Sequence, residues 1–359
     1  MVCGKSVTGC FCVERKMIMN AKLKSVFGVL IAAAMALPMT GCSKGDEASG
    51  EAAETFDSAG YESRIAELES QVESLKAETS PNIGFKDKSD FILGKDNPAV
   101  SEAAAVKEEA MADLPQFITI KGVEYSTSLT TLTLNNMELT DEDIKDLKYM
   151  VNLTELHIYQ NNISDITPLK GLTNLRTLSL FKNNISDLKP LAGLISLKDL
   201  YLRSNAVTDI SPLDGLLGLE VLDLSENNIS DITPLAGMTE LTLLRLNNNA
   251  ITDISALSSM QHMDRLHLQN NQIADITPVM NMVDVTEIYL ENNLVSDVEP
   301  LMSLTSLGWI KLGGNPVSNL NPLTNLAGLK KLYIEGIDIS DEDMTSLTDK
   351  LPDTTIVTK

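Results

Sequence analysis

The stretch Leu153–Asn174 reads LTELHIYQNNISDITPLKGLTN, and nine of its residues, NNISDITPL, return letter for letter at 227–235. The two copies lie 66 positions apart, and a looser copy, NNISDLKPL at 183–191, divides that separation into a period of 22. That period organises most of the chain. Leucine or another aliphatic residue opens a unit at 129, 153, 175, 197, 219, 241, 263, 285, 307 and 329; every interval after the first is 22, and Leu351 opens a truncated last unit. In the quoted unit the inward set is Leu153, Leu156, Ile158, Asn161, Ile163, Ile166, Leu169 and Leu172. The first three are spaced as in a strand; the later ones follow spacings of two and three, as in a tight turn and a short 3₁₀ segment.

This unit resembles the leucine-rich repeat, specifically the 22-residue internalin type of bacterial surface proteins, and the resemblance covers about 240 residues. It implies an α/β solenoid with one parallel strand per unit on a concave face and 3₁₀ turns on a convex back. No unit folds alone, because its apolar edge must be covered by its neighbour. The expected repeat domain is 114–359, with capping units at 129–152 and 329–359. Those end units share a form, ELTDEDIKDL at 138–147 and DISDEDMTSL at 338–347, whose acidic first turns predict short α-helices.

Two polar ladders run through the repeat. The ninth position is Asn161, Asn183, Asn205, Asn227, Asn249, Asn271, Asn293 and Asn315. An unsatisfied amide in an aliphatic core costs about 1 to 3 kcal/mol, so these side chains are expected to bond backbone groups where the chain leaves each strand. Met137 and Ile337 replace the asparagine in the end units. The second ladder is Asp165, Asp187, Asp209, Asp231, Asp253, Asp275 and Asp297, usually followed three residues on by proline. Thr167, Ser211, Thr233 and Thr277, directly before a proline, are expected N-caps, and the aspartates suit the same free N–H groups. A calcium stripe is the rival reading of the aspartates, but local capping is a sufficient role for each, and no metal site is expected.

With those positions assigned, the third, fifth, seventh and eighth of each unit remain free to vary on the concave strand. Six of the seven aromatics between 129 and 350 fall there: Tyr159, Phe181, Tyr201, Tyr289, Trp309 and Tyr333. So do three of the four arginines, Arg203, Arg245 and Arg265, together with His267 and Lys311. The aromatics form two groups, on the second to fourth and the eighth to tenth units, with Arg245, Arg265 and His267 between them. The concave positions carry six positive and seven negative groups, against 14 and 30 for the whole stretch. A nearly neutral face rich in Tyr, Trp and Arg has the composition of a binding hot spot for a protein or glycan. Strand propensity alone is the competing explanation of the aromatics, but it does not account for the arginines.

The N-terminal third reads differently. Lys22 and Lys24 precede an apolar run over 26–37, which is too short for a membrane span. Met39-Thr40-Gly41-Cys42 follows and resembles the lipobox of bacterial lipoproteins, although leucine is usual where Met39 stands. The reading is a signal peptide over 1–41, with translation starting at Met17 or Met19 as an alternative, and lipid on Cys42. Residues 42–113 form an acidic linker poor in large apolar groups, expected to be a disordered tether. Within it Tyr61, Ile65, Leu68, Val72 and Leu75 mark a short coiled coil at 58–78, with a solvated single helix as the equal alternative. All four cysteines, Cys3, Cys10, Cys12 and Cys42, precede residue 43, so the body has no disulfide framework.

From Ser43 onward the chain holds 23 basic and 49 acidic residues, a net charge of −26, which repels nucleic acid. Catalysis has no constellation to carry it: His157 and His267 are five units apart, about 24 Å at one strand per unit, and no phosphate loop or nucleophile elbow occurs. No cofactor is expected. LPDTT at 351–355 resembles a cell-wall sorting signal without its glycine and is read as the capping unit's last strand. Together these features predict an exported, lipid-anchored envelope protein that binds a partner on its concave face. The rivals are an assembly protein oligomerising through the coiled coil and a cytoplasmic regulator with an uncleaved signal.

Overall fold

The computed structural model describes residues 97–359; the export segment, Cys42 and the 58–78 heptads lie outside the described residues. Eleven short strands form one parallel sheet in strict chain order: β3 (Thr131–Thr133), β4 (Glu155–His157), β5 (Thr177–Ser179), β6 (Asp199–Tyr201), β7 (Val221–Asp223), β8 (Leu243–Arg245), β9 (Arg265–His267), β10 (Glu287–Tyr289), β11 (Trp309–Lys311), β12 (Lys331–Tyr333) and β13 (Thr355–Val357). The register advances by one repeat per strand, so that Leu156 faces Leu178 and Leu178 faces Leu200. Each strand has three residues; the middle one turns inward, as the fully buried Leu156, Leu178, Leu200 and Leu222 do, and its neighbours face the concavity. The chain then bends, makes a 3₁₀ turn such as Thr167–Leu169 on the back, and returns. The core between sheet and turns is aliphatic throughout, a column of Leu, Ile, Val and Met.

The asparagines make each bend. Asn227 Nδ2 donates to the Leu224 carbonyl of its own coil and the Leu202 carbonyl of the preceding one, each at 3.0 Å, while its Oδ1 accepts from Val207 N at 3.0 Å. The same pattern runs from Asn161 to Asn315. One side chain thus saturates backbone groups of two coils that the bend takes out of the ladder.

On the back the aspartates cap and the hydroxyl residues do not. Asp165, Asp209, Asp231 and Asp275 each accept from the N–H two residues on, at 2.8 Å. The expected caps Thr167, Ser211, Thr233 and Thr277 are instead the first residues of their 3₁₀ turns, so their own N–H is the free donor. Proline follows, with no N–H to satisfy, and the acceptor has to stand earlier in the chain.

Both ends close with acidic helices. At the start α2 (Asp141–Ile144) is capped by reciprocal bonds between Thr140 and Asp143, and Asp141 accepts from the Ser164 and Asp165 amides of the next coil. At the far end α3 (Asp341–Lys350) begins at Ser340, whose hydroxyl accepts from Asp343 N; of LPDTT, expected to be the last strand, only Thr355 belongs to β13, because Leu351 caps the helix and Thr354 N turns back to the Leu351 carbonyl. A hairpin of β1 (Phe117–Ile120) and β2 (Val123–Ser126) adds to the first cap beyond the unit expected at 129–152, burying Ile118 and Ile120 against the core. Its turn is Lys121-Gly122, both at positive φ, the geometry of a tight two-residue hairpin.

The tether expected up to residue 113 ends sooner. Helix α1 (Pro98–Ala112) starts on Asn97, whose Oδ1 accepts from Ala99 N, and lies against the convex side. Its composition holds few large apolar groups, yet Ala103 is fully buried, because small side chains pack by close approach rather than by area.

Candidate concave binding face

The three-residue strands set side chains on a lattice about 4.8 Å apart across the sheet. On units two and three Tyr159 and Phe181 are stacked, with centroids 4.1 Å apart and planes within 13°. Tyr201 and Arg203 follow on the fourth unit. The second group starts at His267, stacked on Tyr289 at 4.4 Å; Lys311 Nζ lies 4.4 Å from the centre of the Tyr289 ring and 5.1 Å from that of Tyr333. Lys331, absent from the sequence-based set, lies 4.7 Å from the centre of the Trp309 ring. Tyr159 and Phe181 occupy the seventh column and Trp309 the third, so the two groups are offset across the strands as well as along the solenoid.

The arginines are not free charges. Arg203 pairs with Glu226 at 2.6 Å, Arg245 with Asp223 at 3.7 Å, Arg265 with Asp264 at 3.3 Å, and Lys311 with Glu291 at 3.5 Å. The near balance of charge at the concave positions was the sequence signal of Glu226, Asp223 and Glu291; Asp264, at the second position of its unit, lay outside that count. Bonds from Ser204 and Arg203 hold the Glu226 carboxyl below the usual range. Such pairs hold long side chains in place and add little stability at exposed sites.

His267 stands at the centre. Burial first, and then Arg245, Arg265 and Lys311, lower its pKa to about 4, so it is neutral at neutral pH. Its Nε2, Gln269 Oε1 and Glu291 Oε2 are buried without a partner among protein atoms. Tyr289 donates to Glu287 at 3.1 Å, and burial followed by that carboxylate pushes its pKa up to about 12.

The eighth position is less free than its variability implies. From Asn136 to Gly336 it holds positive φ in every unit, for example 56° at Gln160, 55° at Glu226 and 71° at Gly314. It is the left-handed residue of the bend, which explains its four asparagines and two glycines. Three of those asparagines bond side chain to side chain, Asn270 to Asn248 at 2.8 Å and Asn292 to Asn270 at 2.7 Å. Among the described residues no group of three His, Cys, Asp or Glu side chains is placed to hold a metal ion.

The family model for leucine-rich repeats in two copies matches 127–171, 173–215 and 217–259. An internalin C2 from Listeria monocytogenes is 33% identical over 62% of this chain and 96% of that one, with a TM-score of 0.50. The chain belongs to the internalin-type leucine-rich repeat family. The functional domain of the L. monocytogenes internalin InlJ shares the fold at 22% identity, TM-score 0.53, over 72% of this chain and 58% of that one. A leucine-rich repeat ectodomain of a membrane receptor kinase from Arabidopsis thaliana, solved in complex with Casparian strip integrity factor 2, does so at 20%, TM-score 0.51, over 60% and 30%. No curated protein sequence matches the chain. Internalin-type repeats serve protein binding, and family members are typically interaction modules rather than enzymes.

Proposed function

We propose that this internalin-type protein is an exported envelope lipoprotein, held by lipid on Cys42, that captures a protein partner on its concave face. One observation favours protein over glycan. In each group a ring pair is stacked along the solenoid axis, Tyr159 on Phe181 and His267 on Tyr289, and Tyr289 has Lys311 4.4 Å from its centre as well. A sugar that stacks on an aromatic needs a free face, whereas ring edges and phenol tips suit a protein surface. Trp309, 37% exposed, and Tyr201 are the anchors of the two groups. The net acidic body supports exclusion of nucleic acid.

Among the described residues no helix is long and apolar enough to cross a membrane; the MTGC stretch supports a lipid anchor. The test is capture by the full chain from envelope extracts and host-cell lysates, beside a variant with Tyr201→Ala and Trp309→Ala. Loss of a captured protein with the melting temperature kept supports the concave site; capture by the variant equal to wild type, or binding of purified glycans alone, overturns it. Intact mass after membrane extraction tests the anchor: a mature chain beginning at unmodified Ser43 removes it.

A further inference from the structure

Helix α1 contributes nothing to the concave face, yet it is seated with close complementarity on the other side. It crosses three coils in reverse order. Asn97 stands beside Gly215, Ala99 and Ala103 lie on Gly193, and Val106 and Lys107 lie on Gly171. These glycines hold one position of the repeat, just after the 3₁₀ turn. The same position is Gly237 in the fifth unit, then Ser259, Asn281, Ser303 and Asn325. A Cβ on Gly193 would meet the Ala99 carbonyl oxygen and come within 2.5 Å of the Ala103 Cβ, which no rotamer relieves because the obstacles are backbone and a methyl group. Polar contacts fasten the helix at its edges: Glu102 pairs with Lys170 at 2.5 Å, and Lys107 Nζ donates to Asn174 Oδ1 at 3.0 Å and Thr173 Oγ1 at 3.2 Å.

The seat is narrow and the buried side chains are two alanines, Ala103 and Ala110. Little apolar area is therefore at stake, while each coil's own core and asparagine bonds are complete without the helix. We infer that α1 is a strap: by docking in the glycine groove it fixes the point at which the upstream chain leaves the solenoid, behind the fourth unit and opposite the face that carries Tyr201. The binding face is thereby turned away from the chain's exit. Undocking frees that exit point without unfolding a coil. The inference stands whether or not the partner is a protein, because it concerns the convex side alone.

Hydrogen exchange of the full chain tests it with Gly193→Leu, which fills the seat, and Gly237→Leu, which makes the same change one unit beyond the helix. In Gly193→Leu the α1 amides should exchange at least about tenfold faster while the amides of β3 to β13 keep their protection; in Gly237→Leu the helix should stay protected. Spin labels on Ser101 and Ser258 should give one narrow distance in the parent and a broad distribution in Gly193→Leu. Ala103→Leu, which meets the same wall from the helix side, should reproduce the result if Gly193→Leu folds poorly. Unchanged α1 protection in both seat-filling variants, equal loss in Gly237→Leu, or loss of strand protection together with the helix would each overturn the strap.

Discussion

The back and the face of one coil are made from adjacent residues and obey opposite rules. In the two identical stretches the back is reproduced to the bond: Asp165 and Asp231 accept from Thr167 and Thr233 at the same 2.8 Å. Two residues before each stretch the chain is free. Tyr159 stacks on Phe181, whereas Ser225, at the same position, donates to Asp223 on its own strand. Groups that must satisfy backbone recur because the backbone recurs; groups that meet only solvent or a partner do not. The face even tolerates orphaned atoms at His267, Gln269 and Glu291, which the Asn227 bend does not.

The sharpest attempt to break this contrast is Leu222→Ala, beneath the face, which should destabilise by about 2 to 5 kcal/mol in denaturant unfolding by leaving a cavity. Asn227→Ala should cost about 1 to 3 kcal/mol, because it leaves the Val207 N–H unpaired and takes one of two asparagine donors from each of the Leu202 and Leu224 carbonyls. A cost near zero would mean that the ladder is ornament. The face should behave in the opposite sense: Tyr201→Ala with Trp309→Ala should weaken partner capture by tenfold or more, about 1.4 kcal/mol, with the melting temperature held.

Two smaller effects separate the regions by pH. On the face, His267 has a folded pKa of about 4 against 6.5 for the free side chain, so between those values the unfolded chain binds the extra proton. Stability should therefore fall as pH drops from about 6.5 toward 4, and His267→Gln should flatten that limb. On the back, hydrogen bonds from Ser211, Thr233 and Thr277 hold the Asp209, Asp231 and Asp275 carboxyls below their usual pKa. Their contribution is present above the unfolded carboxylate pKa and is lost as pH falls through the folded values. Replacing all three by Asn keeps an acceptor and should flatten only the limb below about pH 4.

The repeat, its phase, the strand and turn positions and both acidic caps were legible because each coil has to present the same apolar edge to the next. Periodicity alone put Tyr201, Tyr289, Trp309 and Tyr333 on strands of the sheet, whereas Tyr159 and Phe181, expected on strands too, stand two residues past the ends of β4 and β5, where the chain already turns toward the bend. Their stacking was not legible, since it depends on rotamers and on which residue stands one coil away. The arginines' partners were hidden for the same reason: Glu226 and Asp223 are 23 and 22 positions from Arg203 and Arg245. Position eight carried a signal in its Asn and Gly content, which the left-handed bend explains. The β1–β2 hairpin carried one too, in the alternation of FITIKGVEYS about Lys-Gly.

Sequence by itself determined that this chain is a solenoid, because a 22-residue apolar period has one way to bury its edge and that rule is local and repeated. Only the tertiary structure decided which rings lie face to face, which charges are already spent on neighbours, and that an alanine helix sits in the groove of Gly171, Gly193 and Gly215. Those outcomes depend on contacts between residues a coil or more apart, where no period constrains the pairing and the absence of a side chain matters as much as its presence.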